Sequence, residues 1–155
     1  MPALDASFLA LERPHAPLHL TGMCTVATPL DFDAFLAHAS QRMSLLPNYH
    51  SRPVELPFPL AHPTWDVVPD FDIRQHVHHH TLDGDDDTAL AALCGQLAAT
   101  PLERTRPLWE LHVINGYRQG SAVFAKVHYA LVDGSPAADL TNVLLSTSPR
   151  AQGTS

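Results

Sequence analysis

WELHVINGYRQGSAVFAKVHY, residues 109–129, holds two apolar runs, Trp109 to Ile114 and Ala122 to Tyr129, separated by a turn between Gly116 and Gly120. This arrangement reads as a β-hairpin. Strand side chains alternate, so Val123, Ala125, Val127 and Tyr129 share one face while Phe124, Lys126 and His128 share the other. Upstream, Asp72 to Leu82 reads as a further strand carrying the run HVHHH, with His76, His78 and His80 on one face and His79 opposite. An acidic turn, Asp83 to Asp87, follows it. Its last aspartate is placed to cap a helix bearing Leu90, Leu93, Cys94, Leu97 and Ala98, which Thr100 and Pro101 stop.

The same reading extends to both ends. Residues 4–12, LDASFLALE, predict a brief helix with Asp5 as its cap, and Leu18 to Ala27 predict a strand. From Asp31, the apolar residues Phe32, Phe35, Leu36, Ala39, Met43 and Leu46 recur at three and four, the spacing of one buried helix face, until Pro47. Six prolines between positions 47 and 70 predict an extended, turn-rich connection with room for one edge strand. Beyond Asp133 and Gly134, Ser135 and Pro136 read as the cap and first residue of a last helix carrying Leu140, Val143 and Leu144. The fold class is therefore α/β, a mixed sheet with helices, with residues 1–146 as one domain and 147–155 as a polar tail.

Composition narrows the function. Nine Lys plus Arg stand against 16 Asp plus Glu, a formal charge of −7, so there is no cation surplus to neutralise a nucleic-acid backbone. The two cysteines, Cys24 and Cys94, lie far apart and make neither a disulfide framework nor a metal pair, so a reducing cytoplasm is the expected compartment. The N-terminal stretch lacks a basic region and a long apolar core, and reads as neither signal peptide nor membrane span. Any membrane contact is expected to be peripheral. No GxSxG elbow, phosphate-binding loop or dinucleotide fingerprint occurs. The Asp83 to Asp87 run resembles a calcium loop only in composition and reads as a solvated turn.

Four stretches occur in an order that resembles the N-terminal half of the bacterial wax ester synthase/diacylglycerol acyltransferase family: LDASFLALE, FDIRQHVHHHTL, PLERTRPLWELHVINGY and KVHYALVDG, within a match that runs from about Leu4 to Leu145. The resemblance implies one lobe of the two-lobed, chloramphenicol acetyltransferase-like fold. It also implies transfer of a fatty acyl group from acyl-CoA or an acyl carrier to a long-chain alcohol or diacylglycerol, with no cofactor beyond that co-substrate and no metal. The family signature is HHxxxDG, whose second His is the general base. An imidazole of pKa about 6.5 can take the proton of an attacking hydroxyl. Here His128 matches the first His, Asp133 and Gly134 match the DG, and Tyr129 stands where the base belongs.

The resemblance thus centres catalysis on His128, Tyr129 and Asp133, with Gly134 and Lys126 toward substrate, and gives Arg104, Arg106 and Trp109 structural parts. A phenol of pKa about 10 is roughly one part in a thousand ionised at pH 7, so Tyr129 is a poor substitute base. His128 is expected to point away from the site unless the strand end kinks. Three readings stay open: a divergent O-acyltransferase, a non-catalytic acyl- or partner-binding module, and an enzyme of altered chemistry using Tyr129. Family members carry a further domain of comparable size, so a separate chain is expected to supply the other half, or the protein is a shortened relative. Such a half is expected to expose apolar surface and to form a homodimer or heterodimer.

Overall fold

The computed structural model describes residues 1–57 and 61–132. In chain order it runs α1 (Ala3–Leu11), β1 (His19–Val26), α2 (Phe32–Met43), β2 (Ser51–Val54), β3 (Thr64–Val67), β4 (Val77–Thr81), α3 (Asp87–Ala99), β5 (Trp109–Tyr117) and β6 (Gly120–His128). Short 3₁₀ turns lie at Pro47–His50, Ile73–Gln75 and Tyr129–Leu131. The strands β1, β6, β5 and β4 form one sheet in that order, with β4 parallel to β5 and the other pairs antiparallel. Parallel neighbours need a crossover, and α3 supplies it. The expected mixed sheet with helices is present.

The sheet is covered on both faces. Trp109, Leu111 and Val127 belong to a buried cluster with Leu9 of α1 and Leu36, Ala39 and Met43 of α2. Ile114, Ala122 and Phe124 pack under α3 through Leu90, Leu93 and Leu97. The alternation expected along β6 holds.

Register decides what sits under α3. The hairpin turns on Arg118 and Gln119, both at positive φ (47° and 63°), which matches the twist of a two-residue turn. Gly116, at φ +94°, lies at a bulge between Asn115 and Tyr117. Tyr117 pairs with Gly120, but beyond the bulge the register shifts by one, and Glu110 pairs with Lys126. Without that extra residue Glu110 would oppose Val127, an apolar side chain on the other face. Gly120 is required for a different reason. A Cβ there would stand 2.1 Å from the Val26 carbonyl oxygen.

Lys126 is 1% exposed, and its ammonium donates to the Leu97 and Thr100 carbonyls at 2.9 and 2.7 Å while facing Glu110 at 3.2 Å. His19 of β1 reaches the Ala98 carbonyl at 2.7 Å. A helix leaves its last carbonyls without intrahelical donors, and these two side chains supply them to α3.

Several expectations are corrected. Asp5 does not cap α1. The helix starts at Ala3 with Pro2 at the cap position, which places Asp5 inside the first turn, buried. Asp86, not Asp87, caps α3 by accepting from Ala89 N–H at 2.9 Å. The Asp87 carboxylate is taken instead by the hairpin tip, through Arg118 at 3.0 Å and the Tyr117 hydroxyl at 2.5 Å. The proline-rich connection holds two strands rather than one: β2 and β3 pair in a separate ribbon, where Pro53 is tolerated because both strands are edges. The histidine-bearing strand is shorter than 72–82, since a 3₁₀ turn occupies Ile73–Gln75. The last helix expected after Ser135, and the boundary at 146, lie outside the described residues.

Replacing Lys126 by Met would strip Glu110 of its ion partner and leave two helix-end carbonyls without a donor. We expect a loss of about 3–5 kcal/mol, read as a lower urea midpoint at unchanged slope. A loss below about 1 kcal/mol would show that the α3 end does not depend on this side chain.

Candidate active site

At the end of β6 the chain turns sharply. The His128 N–H bonds the Leu108 carbonyl and the Tyr129 N–H bonds the Leu18 carbonyl, each at 3.0 Å. The strand therefore stops at His128, and Tyr129 opens the 3₁₀ turn instead of closing the strand. Tyr129 is half-buried, with its ring 5.5 Å from that of Phe8 on α1.

His128 is fully buried. Its Nδ1 accepts the Ala130 N–H at 3.0 Å, which in a neutral ring puts the proton on Nε2. Nε2 faces Glu12 Oε1 at 3.3 Å, within ion-pair reach but outside the alignment of a hydrogen bond. Burial pushes the imidazole below its ordinary value, and the Glu12 charge only partly opposes this. Both ring nitrogens thus face protein groups.

Glu12, which the sequence reading passed over, holds this arrangement. Oε1 accepts the Leu18 N–H at 3.1 Å and Oε2 faces Arg104 Nη2 at 3.1 Å, in a side chain 7% exposed. Burial raises its pKa, but the Leu18 N–H, Arg104 and His128 outweigh burial and hold it below the ordinary carboxylate value. Arg104 also donates to the Leu9 carbonyl and lies 3.7 Å from Glu55. The only local signal was a charged residue directly after an apolar run.

The remaining candidates separate. Trp109 is fully buried and donates from Nε1 to the Tyr49 carbonyl at 2.7 Å. Arg106 pairs on the surface with Glu103 at 3.3 Å, an exposed contact of small worth. Lys126, placed toward substrate by resemblance, spends its donors on Glu110 and the end of α3. Asp133 and Gly134 lie outside the described residues.

The histidine run also divides. His76 falls before β4 in the bend after the 3₁₀ turn, and there it stacks on Trp109 at 4.7 Å and donates from Nδ1 to the Trp109 carbonyl at 2.9 Å. It therefore does not share a face with His78 and His80. Those two flank His112, with ring centroids 4.9 and 5.1 Å away. His80 Nε2 meets His112 Nδ1 at 2.9 Å, and His112 Nε2 donates to Glu110 at 3.1 Å. Burial alone would raise the Glu110 pKa, but His112 and Lys126 bring it down to about 2.

Two clefts border the turn and α1. One of about 110 Å³ is lined by Asp5, Trp65, Ala130 and Leu131, and one of about 270 Å³ by Ala3, Ala6, Leu9, Ala10, Glu55 and His62 among others. Both fall short of the about 300–1,000 Å³ that encloses a drug-sized ligand. Among the described residues no helix is long and apolar enough to cross a membrane.

The fold has counterparts among solved structures. The first condensation domain of the calcium-dependent antibiotic synthetase superposes with a TM-score of 0.74 over 93% of this chain and 35% of its own; at 16% identity the likeness is of fold alone. Wax ester synthase/diacylglycerol acyltransferase from Marinobacter aquaeolei VT8 superposes with a TM-score of 0.75 at 26% identity, over 99% of this chain and 40% of its own. The Mycobacterium tuberculosis protein named "Probable diacyglycerol O-acyltransferase tgs3" is 33% identical over 96% of this chain and 56% of its own length. The profile of the wax ester synthase/diacylglycerol acyltransferase catalytic domain matches residues 1–155. The chain belongs to that family. It spans about half the length of this M. tuberculosis relative.

The titrating groups set a pH dependence. His19, His76, His78, His80 and His128 are all lowered from 6.5, first by burial. Unfolding returns them to ordinary values, so the unfolded chain binds more protons in mild acid. Their contribution is complete above about pH 6.5 and is lost as pH falls from there through the lowered folded values. Glu110 adds stability above its ordinary 4.5 that disappears toward about 2. Urea midpoints should therefore fall between pH 7.5 and 5.5 and again below 4.5. A midpoint flat or rising with acid would contradict the assignment.

Proposed function

We propose that this chain forms part of an O-acyltransferase that moves a fatty acyl group from acyl-CoA, or an acyl carrier, to a long-chain alcohol or diacylglycerol. The observation that carries the reading is the family match over residues 1–155, together with the turn after β6 that sets residue 129 beside α1. In such a reaction the acceptor oxygen attacks the thioester carbonyl, the C–S bond breaks, CoA leaves as a thiol and an ester forms. The acceptor proton needs a base. His128 is sealed between Glu12 and Ala130, so the side chain at 129 is the group available, and here it is a phenol. We read Tyr129 as a hydrogen-bond donor to the thioester carbonyl or to the acceptor, within a slow or acyl-holding site. Asp133 and Gly134, which complete the family motif, belong to this same proposal, with Asp133 supporting the turn.

The reading needs a second body. Leu4 and Leu11 lie seven residues apart on α1, at 67% and 63% exposure, and neither cleft holds a long acyl chain unaided. We propose that a second copy or a separate chain covers this face, in a reducing cytoplasm where Cys24 and Cys94 stay as free thiols. Membrane contact is then peripheral. A clean monomer by light scattering at micromolar concentration would remove the two-body reading.

The experiment is release of CoA from a long-chain acyl-CoA, with and without fatty alcohol or diacylglycerol, by the unaltered chain and by Tyr129→His. We expect Tyr129→His to exceed the unaltered chain by about 100-fold or more in acceptor-dependent release, the usual worth of a positioned base. Release from neither protein would contradict catalysis and favour an acyl-binding module. Equal release from both would make the phenol itself sufficient, and a loss in Tyr129→Phe would then establish the altered chemistry.

A further inference from the structure

The carboxylate of Glu12 and the turn after β6 are joined by two routes that leave from one oxygen. In one, Glu12 Oε1 faces His128 Nε2 at 3.3 Å, and His128 Nδ1 holds the Ala130 N–H at 3.0 Å. In the other, the same oxygen holds the Leu18 N–H at 3.1 Å, and the Leu18 carbonyl holds the Tyr129 N–H at 3.0 Å. The two routes arrive at successive residues, 129 and 130, and so fix both the start and the direction of the turn. Arg104 secures the other carboxylate oxygen and is itself tied to the Leu9 carbonyl in α1. The α1 helix also carries Phe8, whose ring meets Tyr129.

We propose that Glu12 is the positioning residue of this site: through His128 and Leu18 it holds the turn that presents the side chain at 129, without itself touching substrate. A carboxylate suits this part because it only accepts, and every group it faces is a donor: Leu18 N–H, His128 Nε2–H and Arg104 Nη2. A glutamine of the same shape would turn an amide NH₂ toward one of those donors. Either way the hold on the turn loosens: an NH₂ in place of Oε1 removes both supports, which run through that one oxygen, and an NH₂ in place of Oε2 removes the Arg104 anchor of the carboxylate, while the sheet keeps all of its own bonds. The activity arm of the test rests on the acyltransferase reading above; the structural arm does not.

Hydrogen exchange resolved to single amides, on the unaltered chain and Glu12→Gln, tests the placement directly. We expect exchange at Ala130 and Tyr129 to rise by about 10-fold or more while Val113 and Val123, in the middle of β5 and β6, change by less than about 2-fold. A uniform rise would mean that Glu12 only stabilises the fold, and no rise at Ala130 would mean that the carboxylate does not hold the turn; either overturns the proposal. If Glu12→Gln does not fold, Arg104→Gln leaves the carboxylate in place and removes one of its donors. A smaller rise confined to the same two amides is then expected, and unchanged exchange overturns the proposal. In a Tyr129→His background with activity, adding Glu12→Gln should lower kcat about 10-fold or more at nearly constant KM, because orientation is lost and substrate contacts are kept. Unchanged kcat would overturn the proposal even if exchange rises, and inactivity of Tyr129→His itself would count against the acyltransferase reading alone, leaving exchange to decide this one.

Discussion

A carboxylate buried beyond the end of a helix must find donors, and Glu12 finds them in three separate parts of the chain. The Leu18 N–H precedes β1, Arg104 lies in the segment leading to β5, and His128 ends β6. Leaving such a group unpaired would cost several kcal/mol. Its satisfaction therefore couples the approach of α1 to the register of the sheet and to the shape of the turn after it. The consequence for chemistry is a division of labour between adjacent residues. His128 is enclosed inside the fold, and in the proposed site the side chain at 129 is the one left to meet substrate.

A second buried glutamate, under α3, obeys the same rule with different partners. Glu110, His112 and Lys126 are drawn together under α3 because the bulge at Gly116 shifts the hairpin register by one residue. Lys126 then serves the end of α3, where unpaired carbonyls meet a cation. Each cluster thus buries a glutamate held ionised by a cation and a histidine. One cluster braces the crossover helix and the other braces the turn.

Much of this architecture was legible from the residues. Alternation in Val123, Ala125 and Val127 predicted the two faces of β6, though Tyr129 leaves the strand for the turn, and the spacing from Phe32 to Met43 predicted α2 with Leu36, Ala39 and Met43 inward. The same alternation set His128 away from residue 129. Other features were hidden because they depend on partners remote in sequence. Nothing local distinguishes a glycine that bulges from one that turns, so the pairing of Glu110 with Lys126 could not be counted out from the hairpin. Asp87 looked like a cap until Arg118 and Tyr117 claimed it. His76 left the face of His78 and His80 because Trp109 offered both a ring and a carbonyl. Glu12 was quoted within its motif without a part to play, since its partners lie before β1, before β5 and at the end of β6. Family membership came from four ordered stretches. Tyr129, at the position where the resemblance expects the base, was visible within them.

The central claim is that His128 is a structural ring and that residue 129 alone addresses the site. The most direct measurement is the long-range ¹H–¹⁵N spectrum of the His128 imidazole at neutral pH. The account predicts a neutral ring with its proton on Nε2 and an unprotonated Nδ1 accepting from Ala130. A proton on Nδ1, or a ring that titrates freely near its ordinary value, would contradict it and return His128 to candidacy as the base.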